Sequence, residues 1–441
     1  MYLLCFPASK CSTLINRFGI TSISTTVITT VVFSIRTIFS HCLIVLIVLH
    51  FILYTTMANE VDTQFVRKTN DFALELYTQI ISGEKKNVVI SPFSISTCLS
   101  FAAMGAGGIT ADELFSALKY GNSAEKVNVA ESYGNILANL STNKSLKIAN
   151  KMYVMERYSL KSDFHEIAVK KFQSEAENIN FAENIKAAKT INTWVEQKTN
   201  NKIHDLISPD ALDDYTRMVL VNAIHFKGTW THQFNPASTR PMPFWISATA
   251  SVDVPMMNTK KHFKHGVFEE LGLTMLELPY CDSDVTMLIM LPNERDGLKK
   301  LEDTLLTIDI PYLMTKMYTQ EVEVFLPKFK IEFDIDLQET LEKLGIKRMF
   351  TDQADFSGLL DQSDPLKVSK VIHKAFIEVN EEGAEAAAAT ATFARLKRAI
   401  RSTSYFKVDH PFMCLLLTKN HIIFIVKIVH LGHMLTRHEE L

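Results

Sequence analysis

The spacing of apolar residues along the body of the chain changes from segment to segment and predicts two kinds of element. Four segments predict helices, the first with apolar side chains three and four positions apart. They are residues 65–82, 93–106, 187–197 and 337–344. Short apolar runs rich in Val and Ile predict strands. They are residues 88–92, 218–226, 274–278, 285–291, 322–329 and 422–429. This mixture of runs of helices and runs of strands is typical of an α+β fold.

The N-terminal region differs in composition from the body. An almost continuous apolar run extends from Cys42 to Tyr54, and small residues follow it at Thr56-Met57-Ala58. A run of about 13 residues is shorter than the roughly 20 that cross a bilayer, so a cleaved signal peptide is favoured over a signal anchor. We therefore interpret residues 1–58 as a leader. Translation from Met57 is the alternative, and it would give a leaderless cytoplasmic protein.

The C-terminus carries a second possible address. Residues 437–441 contain His438-Glu439-Glu440-Leu441, which differs by one methylene from the His-Asp-Glu-Leu retrieval signal. Asn139 and Asn143 stand in Asn-X-Ser acceptors for glycosylation, which matter only inside the secretory pathway. The two ends together predict a glycoprotein that is kept in the endoplasmic reticulum lumen by a retrieval receptor. An extracellular location is the alternative within the secretory pathway.

Composition excludes several classes of function. Apolar residues make up 47% of the chain, which is ample for one large core. No low-complexity linker or repeat interrupts the body, so residues 59–436 are predicted to form one domain. The net charge of -3 argues against general nucleic-acid binding. Spacings typical of metal ligands, catalytic triads and phosphate loops are missing from the sequence, so no cofactor, metal or catalytic residue is predicted.

The segment from Glu381 to Arg398 joins a run of small residues to a basic cluster. By composition alone, the run could form a short Ala-rich helix and Arg395-Leu396-Lys397-Arg398 could be a solvated charge cluster. In an extended chain, however, alternate residues point to opposite faces. One face then carries only small side chains, those of Ala384, Ala386, Ala388, Thr390 and Thr392. Glu385 lies on the other face, so the segment indicates a strand able to enter a close-packed interior.

Several motifs in the body resemble those of serpins and occur in the order expected for that family. They are Asn87-Val88-Val89-Ile90-Ser91-Pro92-Phe93-Ser94-Ile95, Val221-Asn222-Ala223-Ile224-His225-Phe226-Lys227-Gly228-Thr229-Trp230, Leu278-Pro279-Tyr280, Leu326-Pro327-Lys328-Phe329 and Asp409-His410-Pro411-Phe412. The resemblance extends from Val61 to Leu431. It implies a serpin fold with about three β-sheets, eight to nine helices and an exposed reactive-centre loop at residues 381–405. His225 departs from the pattern, because the family usually has an aromatic residue there.

The resemblance also implies a function and a set of residues that serve it. A target serine protease attacks the loop and forms an acyl-enzyme, and the cut loop then enters the large sheet as a new strand. The hinge of that loop would consist of Glu381, Glu382, Gly383, Ala384, Glu385, Ala386, Ala387, Ala388, Ala389 and Thr390. Polar residues beneath the insertion point, called the shutter, would be Ser91, Ser94, Asn222 and His373. Trp230 would mark the breach, where the loop first enters. We expect a monomeric protease inhibitor and not an enzyme.

Two positions compete for the reactive bond. Arg395, Lys397 and Arg398 fit the Arg-x-Lys-Arg signal of furin-like convertases, which favours cleavage between Arg398 and Ala399. The usual interval from Glu381 favours Lys397 and a trypsin-like target instead. A further interpretation is that the basic tetrad is a processing site, which a protease cuts without being trapped. A non-inhibitory chaperone of the endoplasmic reticulum is the alternative function, although bulky or charged hinge residues are more usual in such serpins.

Overall fold

The computed structural model describes residues 63–431, except residues 83, 142, 144, 282, 283, 363, 382–402 and 420. Nine α-helices and fourteen strands lie in this part of the chain. The helices are α1 (63–80), α2 (Pro92–Gly105), α3 (Gly108–Ala117), α4 (Lys126–Ser141), α5 (Ser162–Phe172), α6 (Asn184–Lys198), α7 (Leu298–Thr304), α8 (Ile310–Lys316) and α9 (Gln338–Lys343). None of these described helices is long and apolar enough to cross a membrane.

The strands belong to two hydrogen-bonded sheets. They are β1 (Val88–Ile90), β2 (Leu146–Met155), β3 (Glu175–Ile179), β4 (Met218–Phe226), β5 (Arg240–Trp245), β6 (Ser251–Phe268), β7 (Leu273–Pro279), β8 (Val285–Pro292), β9 (Tyr318–Pro327), β10 (Phe329–Asp336), β11 (Lys370–Val379), β12 (Ser404–Lys407), β13 (Phe412–Thr418) and β14 (His421–Ile428). The five-stranded sheet has the order β10-β11-β4-β2-β3. The nine-stranded sheet has the order β1-β14-β13-β8-β7-β6-β9-β12, with β5 paired to β6.

Strand β6 connects two parts of the nine-stranded sheet. It is 18 residues long, and its first part pairs with β5 while its last residues pair with β7. Strand β9 pairs along the middle of β6. The α+β class is confirmed, and nine helices agree with the expected eight to nine. The third sheet that the resemblance implied corresponds to the part of this continuous ladder around β6, β9 and β12.

Every helix and strand predicted from apolar spacing is present. The bounds differ most for residues 322–329, where β9 ends at Pro327 and β10 begins at Phe329. A strand ends naturally there, because Pro327 has no N–H to donate to a further ladder bond. Helix α2 begins as a capped helix: Pro92 is its first residue, and the side chain of Ser91 accepts a hydrogen bond from the backbone N–H of Ser94 at 3.2 Å.

Strand β4 is the middle strand of the five-stranded sheet and is buried along its whole length. Alternate side chains contribute to two different cores. Leu220, Ile224 and Phe226 belong to the large core that contains α2. Val219, Val221 and Ala223 belong to a smaller core formed with α6 and the segment that follows it. A strand covered on both faces needs apolar residues at nearly every position, which explains the continuous run in the sequence.

Helix α6 and residues 199–212 cover the outer face of the five-stranded sheet. Ile191 and Val195 on α6 pack with Ile203 and Leu206 of the following segment over that sheet. The amine of Lys374 on β11 donates a hydrogen bond to the carbonyl of His204 at 2.8 Å. Residues 199–212 therefore contact β11 as well as β4, so they pass over the line along which these two strands meet.

Candidate functional site

Strands β4 and β11 run parallel and are hydrogen-bonded directly to each other. Their register extends from the pair Lys370 and Val219 to the pair Ile377 and Phe226. We call this line of contact the seam. The chain leaves β11 at Val379 and reaches the base of the predicted reactive loop at Glu381, so the loop starts at one end of the seam. A segment that turned back there would run antiparallel to both strands, which is the geometry that a new strand between them requires.

The structure brings the four predicted shutter residues together at the middle of the seam. Asn222 on β4 and His373 on β11 are direct neighbours in the register. Ser91 and Ser94 lie at the N-terminus of α2, which packs against β4. The four side chains are buried almost completely, with at most 1% of any residue exposed. A cluster of polar groups at such depth must satisfy its own hydrogen bonds, because water is excluded.

The hydrogen bonds of the shutter connect both strands of the seam to α2. The backbone N–H of Ser91 donates to Nε2 of His373 at 3.2 Å. That bond makes Nε2 the acceptor, so the proton of the neutral ring lies on Nδ1, which donates to Oδ1 of Asn222. The amide of Asn222 donates in turn to Oγ of Ser94 at 2.6 Å. The Ser91 hydroxyl donates to the carbonyl of Ile423 at 2.6 Å. Separation of β4 from β11 must break the bond between Asn222 and His373.

Asn150 on β2 completes the network, and sequence reasoning missed it. Its Oδ1 accepts a hydrogen bond from the Asn222 amide and another from the Ser94 hydroxyl at 3.3 Å. Asn150 and Asn222 are neighbours in the antiparallel register of β2 and β4. The only sequence signal was an uncharged polar residue among the apolar residues and two lysines of this strand. The Asn150 amide nitrogen has no partner among the described residues, so the network is satisfied except at this atom.

Burial keeps the ring of His373 neutral. Desolvation lowers its pKa from 6.5 to about 3, because no carboxylate in the described structure compensates a positive charge at this depth. The neutral ring is the form that the network needs: one ring nitrogen accepts from Ser91 and the other donates to Asn222. Protonation would convert the acceptor nitrogen into a donor that faces another donor.

Trp230 lies at the end of the seam where the loop begins. Its ring stacks on Tyr280 with 4.2 Å between ring centroids, and its indole N–H donates to the carbonyl of Asn380 at 2.8 Å. The residue is 3% exposed. Trp230 therefore holds the backbone immediately before Glu381, which agrees with its predicted place at the breach.

Glu381 fixes the base of the loop through both its backbone and its side chain. Its carbonyl accepts from the N–H of Phe234 at 3.1 Å. One carboxylate oxygen accepts from the hydroxyl of Thr239 at 2.8 Å, and the other pairs with Lys328 at 3.0 Å. Burial opposes ionisation of this carboxyl, but the hydrogen bonds from the backbone, Thr239 and Lys328 outweigh burial and lower its pKa. Thr239 and Lys328 were not predicted as part of the site.

His225 lies on the other face of β4 and has no hydrogen-bond partner for either ring nitrogen among the described residues. It faces Phe376 across the seam with 5.2 Å between ring centroids. Burial, with Lys202 and other nearby charges, lowers its pKa from 6.5 to about 4. The neutral imidazole therefore packs against Phe376 much as the aromatic residue usual at this position would.

The two glycosylation acceptors lie in different surroundings. Asn139 is exposed on α4. Asn143 follows the helix and is half-buried, and its side-chain oxygen accepts a hydrogen bond from the N–H of Ser145 at 2.8 Å. Asn139 is therefore the more accessible acceptor. Modification of either side chain stays a prediction.

The remaining predicted site residues lie outside the described residues. They are Glu382, Gly383, Ala384, Glu385, Ala386, Ala387, Ala388, Ala389, Thr390, Arg395, Lys397, Arg398 and Ala399, together with His438, Glu439, Glu440 and Leu441. The leader 1–58 also lies outside them. Their predicted roles stay predictions.

Comparison with known proteins agrees with this geometry. A family model described as "Serpin (serine protease inhibitor)" matches residues 67–431. Serine protease inhibitor 42Dd of Drosophila melanogaster is 43% identical over 351 residues, which cover 79% of this chain and 92% of that protein. Alaserpin of Manduca sexta is 38% identical over 367 residues, 81% of this chain and 92% of the relative. The solved structure of cleaved Serpin 42Da superposes with a TM-score of 0.76 and 39% identity, covering 84% of this chain and 99% of that one.

The neutral state of His373 predicts a loss of stability in acid. An unfolded His binds its proton near pH 6.5, whereas the folded ring binds it only near pH 3. The contribution of His373 to the free energy of unfolding is therefore complete above pH 6.5 and falls by roughly 1.4 kcal/mol per pH unit between these values. Between pH 6.5 and pH 5, the free energy of unfolding of His373→Gln should fall by roughly 2 kcal/mol less than that of the unmodified protein. Denaturant titrations at the two pH values measure this difference. Parallel pH curves for the two proteins would contradict the assigned burial.

The Glu381 contacts predict a charge-dependent stability of the loop base. Glu381→Lys would place two ammonium groups together where Lys328 now has a partner, and we expect a loss of roughly 1–3 kcal/mol and increased self-association. Glu381→Gln keeps an acceptor for the Thr239 hydroxyl, so its free energy of unfolding should fall by less than that of Glu381→Lys. Thermal unfolding and size-exclusion chromatography measure both effects. Equal behaviour of the two variants would show that the ion pair does not hold the base.

Proposed function

Because this chain belongs to the serpin family of serine protease inhibitors, we propose that it acts as a suicide substrate that traps furin-like proprotein convertases. Two observations support the proposal. The base of the loop lies at one end of a seam between two parallel strands, where a new strand can be added. The loop also carries Arg395, Lys397 and Arg398 in the spacing that such convertases recognise.

The chemistry begins on the target protease. Its serine oxygen attacks the carbonyl carbon of Arg398, the bond to the nitrogen of Ala399 breaks, and that nitrogen leaves as an amine after protonation. An ester then joins the inhibitor to the protease. Water would normally hydrolyse this ester. Insertion of the freed segment into the seam carries the ester and the attached protease along the sheet. This displacement would distort the catalytic site of the protease, which could then no longer activate the water that hydrolyses the ester.

The length of the small-residue run fits the seam. Residues 383–392 form a run of ten, and β11 also has ten residues. A strand antiparallel to β11 that starts just after the turn at Glu381 would reach the far end of β11 near Thr392. Residues 393–398 would then extend past the sheet and carry the bound protease with them.

The faces of the inserted strand fit as well. Five alternate residues of β11 are buried and face the side of the sheet on which α2 lies: Val371, His373, Ala375, Ile377 and Val379. Five alternate residues of the loop are small: Ala384, Ala386, Ala388, Thr390 and Thr392. Small side chains can enter this close-packed interior without displacing their neighbours. Glu385 would lie on the opposite face, next to the half-buried Glu378.

The tetrad supports a convertase as the target. Guanidinium groups bind carboxylates through two parallel hydrogen bonds, so Arg395 and Arg398 would suit acidic subsites. A trypsin-like protease needs only one basic residue and would cut after Lys397 or Arg398, which keeps a trypsin-like target as the second candidate. The chaperone alternative has less support, because the hinge has no bulky side chain and only one charged residue between Gly383 and Thr392.

The ends of the chain complete the proposal. A leader at residues 1–58 would admit the protein to the secretory pathway, and the last four residues would retain it through a retrieval receptor. Convertases mature and act in that pathway, so inhibitor and target would meet there. Translation from Met57 would separate them.

A covalent complex tests the proposed target. Incubation with furin should give an adduct that survives denaturing electrophoresis, and mass analysis should place the cut after Arg398. Arg395→Ala should abolish inhibition of furin but leave inhibition of trypsin, because only a convertase reads the distant Arg. Cleavage without an adduct would show that the protein is a substrate of furin and not its inhibitor. Equal loss of inhibition against both proteases would contradict the assignment of the reactive bond to Arg398 and Ala399.

The assigned faces predict opposite effects of the same charge at neighbouring positions. Ala386→Arg would bury an unpaired guanidinium during insertion at a cost of several kcal/mol, so hydrolysis of the ester should overtake trapping. Glu385→Arg places the charge on the outer face and should trap normally. The number of inhibitor molecules consumed per protease inactivated measures the difference. An unchanged ratio for Ala386→Arg would show that this residue does not enter the interior.

The proposed location depends on the leader and on the last four residues of the chain, and removal of those four residues tests it. Removal of residues 438–441 should move the protein to the medium, and before removal it should carry glycan that endoglycosidase H releases. Mutation of Asn139 should remove more of that glycan than mutation of Asn143, because Asn139 is exposed. An unglycosylated, cytosolic full-length protein would contradict the proposed location and the choice of target, but not the inhibitory mechanism.

A further inference from the structure

A groove of about 380 Å³ lies between α6 and the outer face of β2. Lys151 and Tyr153 of β2 form its floor, with Glu177 of β3 beside them. Lys189, Thr193 and Trp194 line it from the helix. The rings of Tyr153 and Trp194 are perpendicular, with 6.4 Å between their centroids. The groove is thus built from two aromatic rings and several polar groups, a combination that suits small organic ligands.

Two donors at this groove lack partners. Tyr153 is 0% exposed, and its hydroxyl makes no hydrogen bond within the described structure. The indole N–H of Trp194 is buried at the atom level and also has no partner there. Burial, with Glu177 and Glu175 nearby, raises the pKa of Tyr153, so the hydroxyl keeps its proton and can donate. One acceptor placed between the two elements could satisfy both donors.

The charges around the groove favour a negatively charged acceptor at its helix side. Lys151 is neutralised by Glu175 at 2.9 Å and Glu177 at 2.6 Å, and its amine lies 4.9 Å from the centre of the Trp194 ring. Lys189 is exposed, and among the described residues it has no carboxylate within ion-pair distance. Lys198 also pairs with Glu175, at 2.9 Å, so two amines balance the two carboxylates at the floor. Lys189 then supplies an additional positive charge at the rim.

We propose that this groove binds a small aromatic carboxylate. Because neither donor is accessible to solvent in the structure, the Trp194 side chain must rotate to admit the ligand. The aromatic part then packs against Tyr153 and Trp194, and the carboxylate accepts hydrogen bonds from the Tyr153 hydroxyl and the Trp194 indole N–H while it pairs with Lys189. Each orphaned donor then has a partner, and the ligand replaces none of the existing bonds of Lys151.

Occupancy of the groove has a consequence that rests on the proposed function. Strand β2 is paired with β4, one border of the seam, and the segment after α6 is attached to β11 through Lys374. Insertion must make room beneath this covering unit. A ligand that links α6 to β2 opposes any shift of the helix, so it slows insertion and diverts the trapped protease toward release.

Binding is tested directly by titration calorimetry of the full chain with 2-naphthoate. Tyr153→Phe removes only one hydroxyl and should weaken binding roughly tenfold to a hundredfold, as expected for one hydrogen bond to a charged group. Lys189→Ala should also weaken binding, whereas Tyr215→Phe, which removes an exposed hydroxyl elsewhere, should leave it unchanged. The neutral analogue 2-naphthalenemethanol should bind more weakly than the carboxylate. The absence of binding at millimolar 2-naphthoate, or equal affinities of all variants, would overturn the proposal.

The effect on insertion is measured separately with trypsin. Saturating 2-naphthoate should raise the number of inhibitor molecules consumed per trypsin inactivated, and this rise should disappear in Tyr153→Phe at the same concentration. Binding without such a rise would overturn the link to insertion. If no protease forms an adduct while 2-naphthoate binds as described, the inhibitory function fails and the binding site stands.

Discussion

The direct hydrogen-bonded contact between β4 and β11 is the constraint on which the rest of the structure depends. The two strands run parallel and share a complete ladder, yet each is buried on both faces by different cores. Insertion of a strand between them removes one parallel ladder and creates two antiparallel ladders, and antiparallel pairing is slightly more stable per residue. The five-stranded sheet is therefore complete but can gain by opening, provided that a suitable strand is available at its end.

The shutter residues lie at the middle of the seam, where opening would have to break their hydrogen bonds. Asn222 and His373 form the side-chain bond that crosses the seam, and Ser91 and Ser94 connect it to α2. Apolar residues at these positions would slide past one another with little directional preference, whereas a buried hydrogen-bond network has one satisfied arrangement and a high cost for any other. The same network requires a neutral His373, which ties the closed sheet to pH. Trp230 and Glu381 hold the loop base at one end of the seam, whereas the shutter residues lie in its middle.

Local pattern predicted four of the nine helices and six of the fourteen strands in the described part of the chain, among them β4 with its continuous apolar run. Strands β2 and β11 were not predicted, because charged residues such as Lys151 and Lys374 interrupt their apolar runs. Ser91 and Asn222 lie inside recognisable motifs, and the structure brings them together through His373. Trp230 lies in the same motif as Asn222 but is found at the end of the seam, on the backbone of Asn380. Asn150 and Thr239 lie outside those motifs, and Lys328 lies inside one that gives no sign of its contact with Glu381. Each joins the site through the register of a strand or the path of a loop, and no local signal in the sequence specifies such a contact. The groove beside Tyr153 depends likewise on how α6 lies over β2.

The central claim is that the cut loop becomes a strand between β4 and β11. A crystal structure of the chain after cleavage in the loop tests this most directly. We expect a six-stranded sheet in which residues 383–392 pair with both strands and Asn222 no longer contacts His373. A cleaved chain in which β4 and β11 remain hydrogen-bonded to each other, with the loop outside the sheet, would contradict it.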